Sequence, residues 1–180
     1  MGARKIALRC VTAGTFCLAG IVWAQNVERP EVPDELKAPL GEEVMLKAHA
    51  EGLQIYVCQA GPDQKYAWVL KEPRAKLLDE RGNQIGEHFA GPTWKWKDGS
   101  EVTGKAVAKH DATQPNAIPW LLVRVIGHKG KGMLDGVTTI QRLNTHGGVP
   151  SQLTLCSESK RDTEVGATYG ADYYFYRPKS

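Results

Sequence analysis

Five histidines, His49, His88, His110, His128 and His146, are the side chains best suited to hold a transition metal or move a proton near neutral pH. No two stand at H-x-H or H-x-x-x-H spacing, so a metal site would have to be assembled from separate strands. His88 is the strongest single candidate: it lies in a dense block, Glu87-His88-Phe89-Ala90-Gly91-Pro92-Thr93-Trp94, with a carboxylate beside it. With His49 it would make a weak copper or zinc site, and no cofactor is implied outside that alternative. The competing reading is that His88 faces the core or a turn and hydrogen-bonds backbone.

Aromatic residues suggest a different chemistry. Trp94, Trp96, Trp120 and several tyrosines offer flat faces on which a sugar or another ligand with an apolar face can stack. Core packing competes for each of them, since large aromatics dominate small β domains. Trp96, between Lys95 and Lys97 and just before the Asp98-Gly99 turn, is the one expected to be exposed. The candidate ligand site is therefore His88, Trp94 and Trp96. Hydrolytic machinery is not visible in the sequence: there is no Gly-x-Ser-x-Gly elbow. Asp98 pairs with Glu87 only in a carboxylate story that its turn already explains. Asp172, among tyrosines, is expected to be a buried structural carboxylate paired with Arg124 or Arg142. These residues favour a non-catalytic binding or structural module, with a metal-binding protein or metal-dependent enzyme as the rival. A cell-surface or matrix interaction module, with a carbohydrate or cell-surface partner, is a third class.

The N-terminus bears on all three. Arg4, Lys5 and Arg9 precede an apolar and small-residue stretch from Cys10 to Trp23, and Val22-Trp23-Ala24 suits cleavage before Gln25. Residues 1–24 read as a signal peptide, so the mature protein is expected in the periplasm or outside the cell. The stretch is shorter than the about 20 apolar residues of a membrane span, so none is expected to remain after cleavage. Three of the 23 Lys and Arg lie in that leader with no acid, so 20 basic residues face 20 acidic ones in the rest. A neutral chain gives no electrostatic reason to bind nucleic acid or an anionic membrane. Cys10 and Cys17 leave with the leader. Cys58 and Cys156 remain, and in an oxidising compartment a pair that far apart reads as a structural disulfide rather than a redox motif.

The elements that must position these residues are strands. Pro30, Pro33 and Pro39 make residues 25–41 an extended lead-in, loosely held or wrapped along the surface. Residues 42–180 form one domain. Val44, Leu46, Ala48 and Ala50 alternate as a strand that Gly52 punctuates, and Gln54–Cys58 is a second. Tyr66–Leu70 is a third, ended by Pro73, with Ala75–Leu78 as an extension. Trp94 and Trp96 share one strand face, and Val102 to Lys109 returns from the Asp98-Gly99 hairpin. Trp120–Ile126 suits a strand buried on both faces. In the last strand Tyr169, Ala171, Tyr173 and Phe175 share one side and Asp172, Tyr174 and Tyr176 the other. No helical period of useful length occurs, so the fold expected is an all-β antiparallel sandwich or barrel of eight or nine short strands.

The blocks Gln54-Ile55-Tyr56-Val57-Cys58, His88-Phe89-Ala90-Gly91-Pro92-Thr93-Trp94 with Asp98-Gly99-Ser100, Ile118-Pro119-Trp120-Leu121-Leu122, Ile140-Gln141-Arg142-Leu143 with Thr145 and Gly147-Gly148, and Ala171-Asp172-Tyr173-Tyr174-Phe175-Tyr176 follow one another across residues 33–176. In that order they resemble DUF3455, a family of secreted bacterial and fungal proteins known only as a domain of unknown function. The resemblance implies secretion, a shared β fold and both remaining cysteines, and it carries no activity. Some fungal relatives bear dehydrogenase names, but no Gly-x-Gly-x-x-Gly turn supports that reading in this chain.

Overall fold

Alternation of side chains is kept along the last strand: Tyr169, Ala171, Tyr173 and Phe175 are buried in the main core, while Tyr174 and Tyr176 join a second cluster on the opposite face. A sheet with apolar residues on both faces of its C-terminal strand needs cover on both sides, and the chain supplies it in two ways. In the computed structural model, which describes residues 27–151 and 155–179, eight antiparallel strands follow one another around a closed barrel. They are β1 (Glu42–Ala60), β2 (Tyr66–Leu78), β3 (Gln84–Phe89), β4 (Thr93–Trp96), β5 (Glu101–His110), β6 (Trp120–Lys129), β7 (Thr139–Gly147) and β8 (Glu164–Pro178). The inner face is covered by closure itself, since β8 returns to pair with β1. The outer face of β8 is covered by the lead-in. Leu36, in a one-turn 3-10 segment, and Ala38 are buried there against Leu143, Tyr174 and Tyr176. Arg29 lies over the Tyr176 ring and donates to the carbonyls of Ala38 and Pro39, and the Gln141 amide donates to the Leu36 carbonyl. The lead-in is thus wrapped and tightly held from residue 27. The leader, with Cys10 and Cys17, lies outside the described residues.

Two expected strand boundaries and one expected burial are corrected. Gly52 does not punctuate: β1 runs 19 residues straight through it. A Cβ on Gly52 would lie 2.2 Å from the Arg74 carbonyl oxygen and 2.5 Å from the Ala75 Cα, so glycine is there because β2 passes too close for any side chain. Pro73 does not end β2. It sits beside a bulge in the β1–β2 ladder and beyond the β2–β3 ladder, which begins at Ala75, so its missing N–H removes no bond on that side. β6 is not buried on both faces. Val123 is buried inside, but Arg124 and Ile126 are exposed outside, where the lead-in does not reach.

Asp98 accepts from the Ser100 N–H and hydroxyl and from the Met133 N–H, which ties the β4–β5 turn to the β6–β7 loop. Cys58, buried near the end of β1, is bonded to Cys156 in the β7–β8 connection, 98 residues away. That connection is thereby pinned to β1 at Cys156. Among the described residues no helix is long and apolar enough to cross a membrane.

Two outcomes follow from this architecture. Gly52→Ala is expected to destabilise by at least about 2 kcal/mol in urea unfolding, whereas Gly41→Ala, with nothing within 4 Å of the added Cβ, should be near neutral. Reduction of the folded protein should add two hydrogens to its intact mass, and loss of the bridge should lower stability by about 4–5 kcal/mol on the chain-entropy estimate for a loop near 100 residues.

Candidate functional site

β3 and β4 are much shorter than β2 and β5 on either side of them, so the barrel wall is low above the β3–β4 turn. A cavity of about 260 Å³ opens at that notch. Its rim carries Leu70, Pro92 and Ala106, its wall Pro73, Leu121 and Val123. Its floor comes from residues the strand alternation turns inward: Gln54 from β1, His88 from β3, Trp94 from β4, Arg142 from β7 and Tyr173 from β8.

His88, Trp94 and Tyr173 form one aromatic cluster. The His88 and Trp94 rings stack at 4.4 Å with 13° between planes, and Tyr173 meets both edge-on at 5.3 and 5.6 Å. His88 Nδ1 is 2.9 Å from the Thr93 carbonyl, which can only accept, so Nδ1 carries the proton and Nε2 is a free acceptor. Burial holds the imidazole well below its ordinary value, to about 3; the Thr93 bond opposes that shift and the nearby Arg142 charge adds to it. His88 is therefore neutral throughout the physiological range.

The polar atoms around this cluster are short of partners. Six buried side-chain nitrogens and oxygens among the described residues have no hydrogen bond; three of them, Gln54 Nε2, Trp94 Nε1 and the Tyr173 hydroxyl, belong to lining residues, and a fourth, the Tyr169 hydroxyl, is next to Tyr173 and Gln54 behind the lining. Tyr169, Gln54, Tyr173 and Arg142 are close enough to bias one another's titration, yet these four atoms lack hydrogen-bond geometry. Burial pushes both phenols above the ordinary tyrosine value, so both keep their protons. A buried polar group left unpaired costs about 1–3 kcal/mol, and native interiors tolerate few of them.

The expected site residues are separated by this arrangement. His88 and Trp94 come together at the cavity, but as a buried stack and not as an exposed platform. Trp96 is not the exposed member. It is half-buried on the inner face, packs edge-on against Phe175, and does not line the cavity. His49 lies between the inward-facing Ala48 and Ala50 and so points outside the barrel, while His88 points inside, and the two cannot share a metal. Among the described residues no group of three or more His, Cys, Asp or Glu is arranged to hold one. Asp172 does not pair with either arginine. It lies on the outer face of β8, where it meets Lys47 at 3.0 Å, His49 Nδ1 at 3.0 Å and the Asn144 amide. Burial raises the Asp172 carboxyl, but the bonds from Asn144, His49 and Lys47 together hold it below the usual carboxylate value. Arg142 is on the other face of the wall, opposite Tyr173, and Arg124 is exposed on β6.

A protein family of unknown function, DUF3455, matches residues 39–177, which takes in the barrel strands up to the last residue but one of β8. The chain belongs to the DUF3455 family. Neither the curated proteins nor the solved structures include a match to it. The DUF3455 barrel therefore has to be read from its own residues. Four of the side chains that matter, Gln54, Arg142, Tyr169 and Tyr173, were not singled out as a ligand site in the sequence. The signal that could have found them is their register: each falls on the inward face of a strand otherwise apolar there.

The neutral state of His88 has a measurable consequence. The unfolded chain takes up a proton below about pH 6.5 and the folded chain does not, so stability falls as pH drops from there toward about 3 and levels off below. The slope is at most about 1.4 kcal/mol per pH unit. His88→Gln removes this contribution, so the stability of the native protein relative to the variant should decline between pH 6.5 and 4. A difference that stays flat with pH would show that His88 is not buried and neutral.

Proposed function

We propose that this DUF3455 chain is an exported, non-catalytic binding barrel that takes one small, partly apolar molecule into the cavity beside His88 and Trp94. The observation that carries this is the presence of three unpaired buried polar atoms, on Gln54, Trp94 and Tyr173, in the lining of a single cavity with apolar walls. An eight-stranded barrel has an interior just wide enough to be filled by side chains or to hold one small ligand. Here one half is filled, by Ala48, Leu77, Trp96 and Phe175 among others, and the other half is not. A cavity of about 150 Å³ accommodates benzene, so about 260 Å³ suits a substituted ring. The edge of such a ring can lie against the Trp94–His88 stack while its substituent meets the orphaned donors. Export is supported by the leader pattern in residues 1–24 and by the long-range disulfide.

The rival metal reading loses its second ligand to the barrel wall, and nothing in the geometry favours it. A surface cleft beside Lys47, His49 and Asp172 also exists, but there Lys47 and His49 are already bonded to Asp172.

Saturation-transfer NMR with neutral rings (benzamide, phenol and benzyl alcohol) tests the binding reading. Transfer to at least one of them is expected in the native protein. It should be lost in Ala106→Trp, which plugs the mouth from an exposed position without touching the floor. No transfer to any ring, or equal transfer in the plugged variant, would overturn it.

A further inference from the structure

Arg142 is the residue the binding reading leaves without an explanation. Its side chain is nine-tenths buried inside the barrel, between the inward-facing Ile140 and the cavity. Its Nε and Nη2 donate to the Pro119 carbonyl at 3.2 and 2.8 Å, a neutral acceptor, and the side chain its charge steadies beside the cavity, the Tyr173 phenol, is neutral as well. No carboxylate forms an ion pair with it there. The titrating groups its charge reaches are Tyr56, His88, Tyr169 and Tyr173, all of them uncharged at neutral pH. The one acid lining the cavity, Glu72, is at the rim and engaged by Arg74 at 2.6 Å.

A buried guanidinium is normally paired, because removing it from water without a counter-ion is unfavourable by several kcal/mol. This one has a cavity in front of it instead. The remaining polar lining is biased the same way. Trp94 Nε1 and Arg142 can only donate, the Tyr173 phenol keeps its proton, and Gln54 can turn its amide N–H inward. Below the rim carboxylate of Glu72, which Arg74 engages, His88 Nε2 is the side-chain acceptor. A cavity rich in donors around an unpaired cation is complementary to an anion.

Resting on the reading of this cavity as a ligand site, we infer that its occupant is a small organic carboxylate. Its carboxylate pairs with Arg142 near Gln54 and Tyr173, and its apolar body lies against Leu121, Val123 and the Trp94–His88 stack. The guanidinium presents a planar fork that matches a carboxylate with two hydrogen bonds. The acceptor at His88 Nε2 adds a further preference for a hydroxyl on the same ligand, as in a hydroxy acid or a phenolic acid.

The test compares benzoate with benzamide, two molecules of nearly equal shape and different charge, by calorimetric titration of the intact disulfide-bonded protein at pH 7. Benzoate is expected to bind at least about tenfold more tightly than benzamide, the factor that one charge-assisted contact of about 1.4 kcal/mol gives. In Arg142→Gln the ratio should fall to near one, with benzamide affinity little changed; Arg142→Lys should keep part of the preference. Because the first comparison uses only the native protein, it stands even if Arg142→Gln fails to fold. Equal affinity of the two ligands, or a preference that survives Arg142→Gln, overturns the carboxylate while leaving the cavity as a ligand site. Binding of neither overturns both.

Discussion

Pairing of β1 with β8, from Glu42 opposite Pro178 to Val57 opposite Glu164, is the constraint on which the rest of the structure depends. It removes both free edges of the sheet and leaves each strand residue only two directions to face. Inside a barrel of eight strands the room is small, so the identity of each inward residue is consequential. Where those residues are Ala48, Leu77, Trp96, Val102 and Phe175 the interior is packed solid. Where they are Gln54, His88, Arg142 and Tyr173 it is polar and hollow.

These two halves make opposite contributions. The packed half and the covered outer face of β8 supply apolar burial, and the disulfide limits the unfolded chain. The hollow half subtracts from stability through its unpaired groups and through a buried cation. A fold that retains such residues in its interior, where aliphatic ones would pack, is spending stability on something other than folding. The aromatic cluster also fixes the hollow half in shape. Tyr173 wedges edge-on against both His88 and Trp94, and the Thr93 carbonyl orients the imidazole.

Much of this was legible in the sequence, for identifiable reasons. The two sides of β8, the hairpin at Asp98-Gly99, the all-β class and the Cys58–Cys156 pair follow from local pattern and from a count of residue types, which need no knowledge of neighbours. Gly52 and Pro73 were misread because their usual local meaning is a break. Here each is explained by a neighbouring strand, β2 crowding Gly52 and the ladder stopping short of Pro73. Trp120–Ile126 was read as doubly buried because its composition is apolar, but what covers an outer face is a tertiary matter, and the lead-in ends its coverage before Ile126. The site was half legible. The block from His88 to Trp94 was conspicuous, but its partners come from β1, β7 and β8, and no local spacing links Gln54 to Arg142. Only closure brings them together. Asp172 and Arg142 are close in the sheet, yet one residue of register places them on opposite sides of the wall.

The covering of β8 by residues 27–41 has a consequence for how the chain is made. Synthesis runs from the N-terminus, so the lead-in and β1 exist long before the surfaces they need. Leu36 waits for Gln141 and Tyr176, β1 waits for β8, and Cys58 waits for Cys156. The intermediate hairpins can pair as they emerge, but the seam, the strap and the bridge are all formed by the last third of the polypeptide. Assembly is therefore a full-length event of high contact order, slow by the standards of local folds. Until it is complete, β1 offers an unpaired edge that only the arrival of β8 covers.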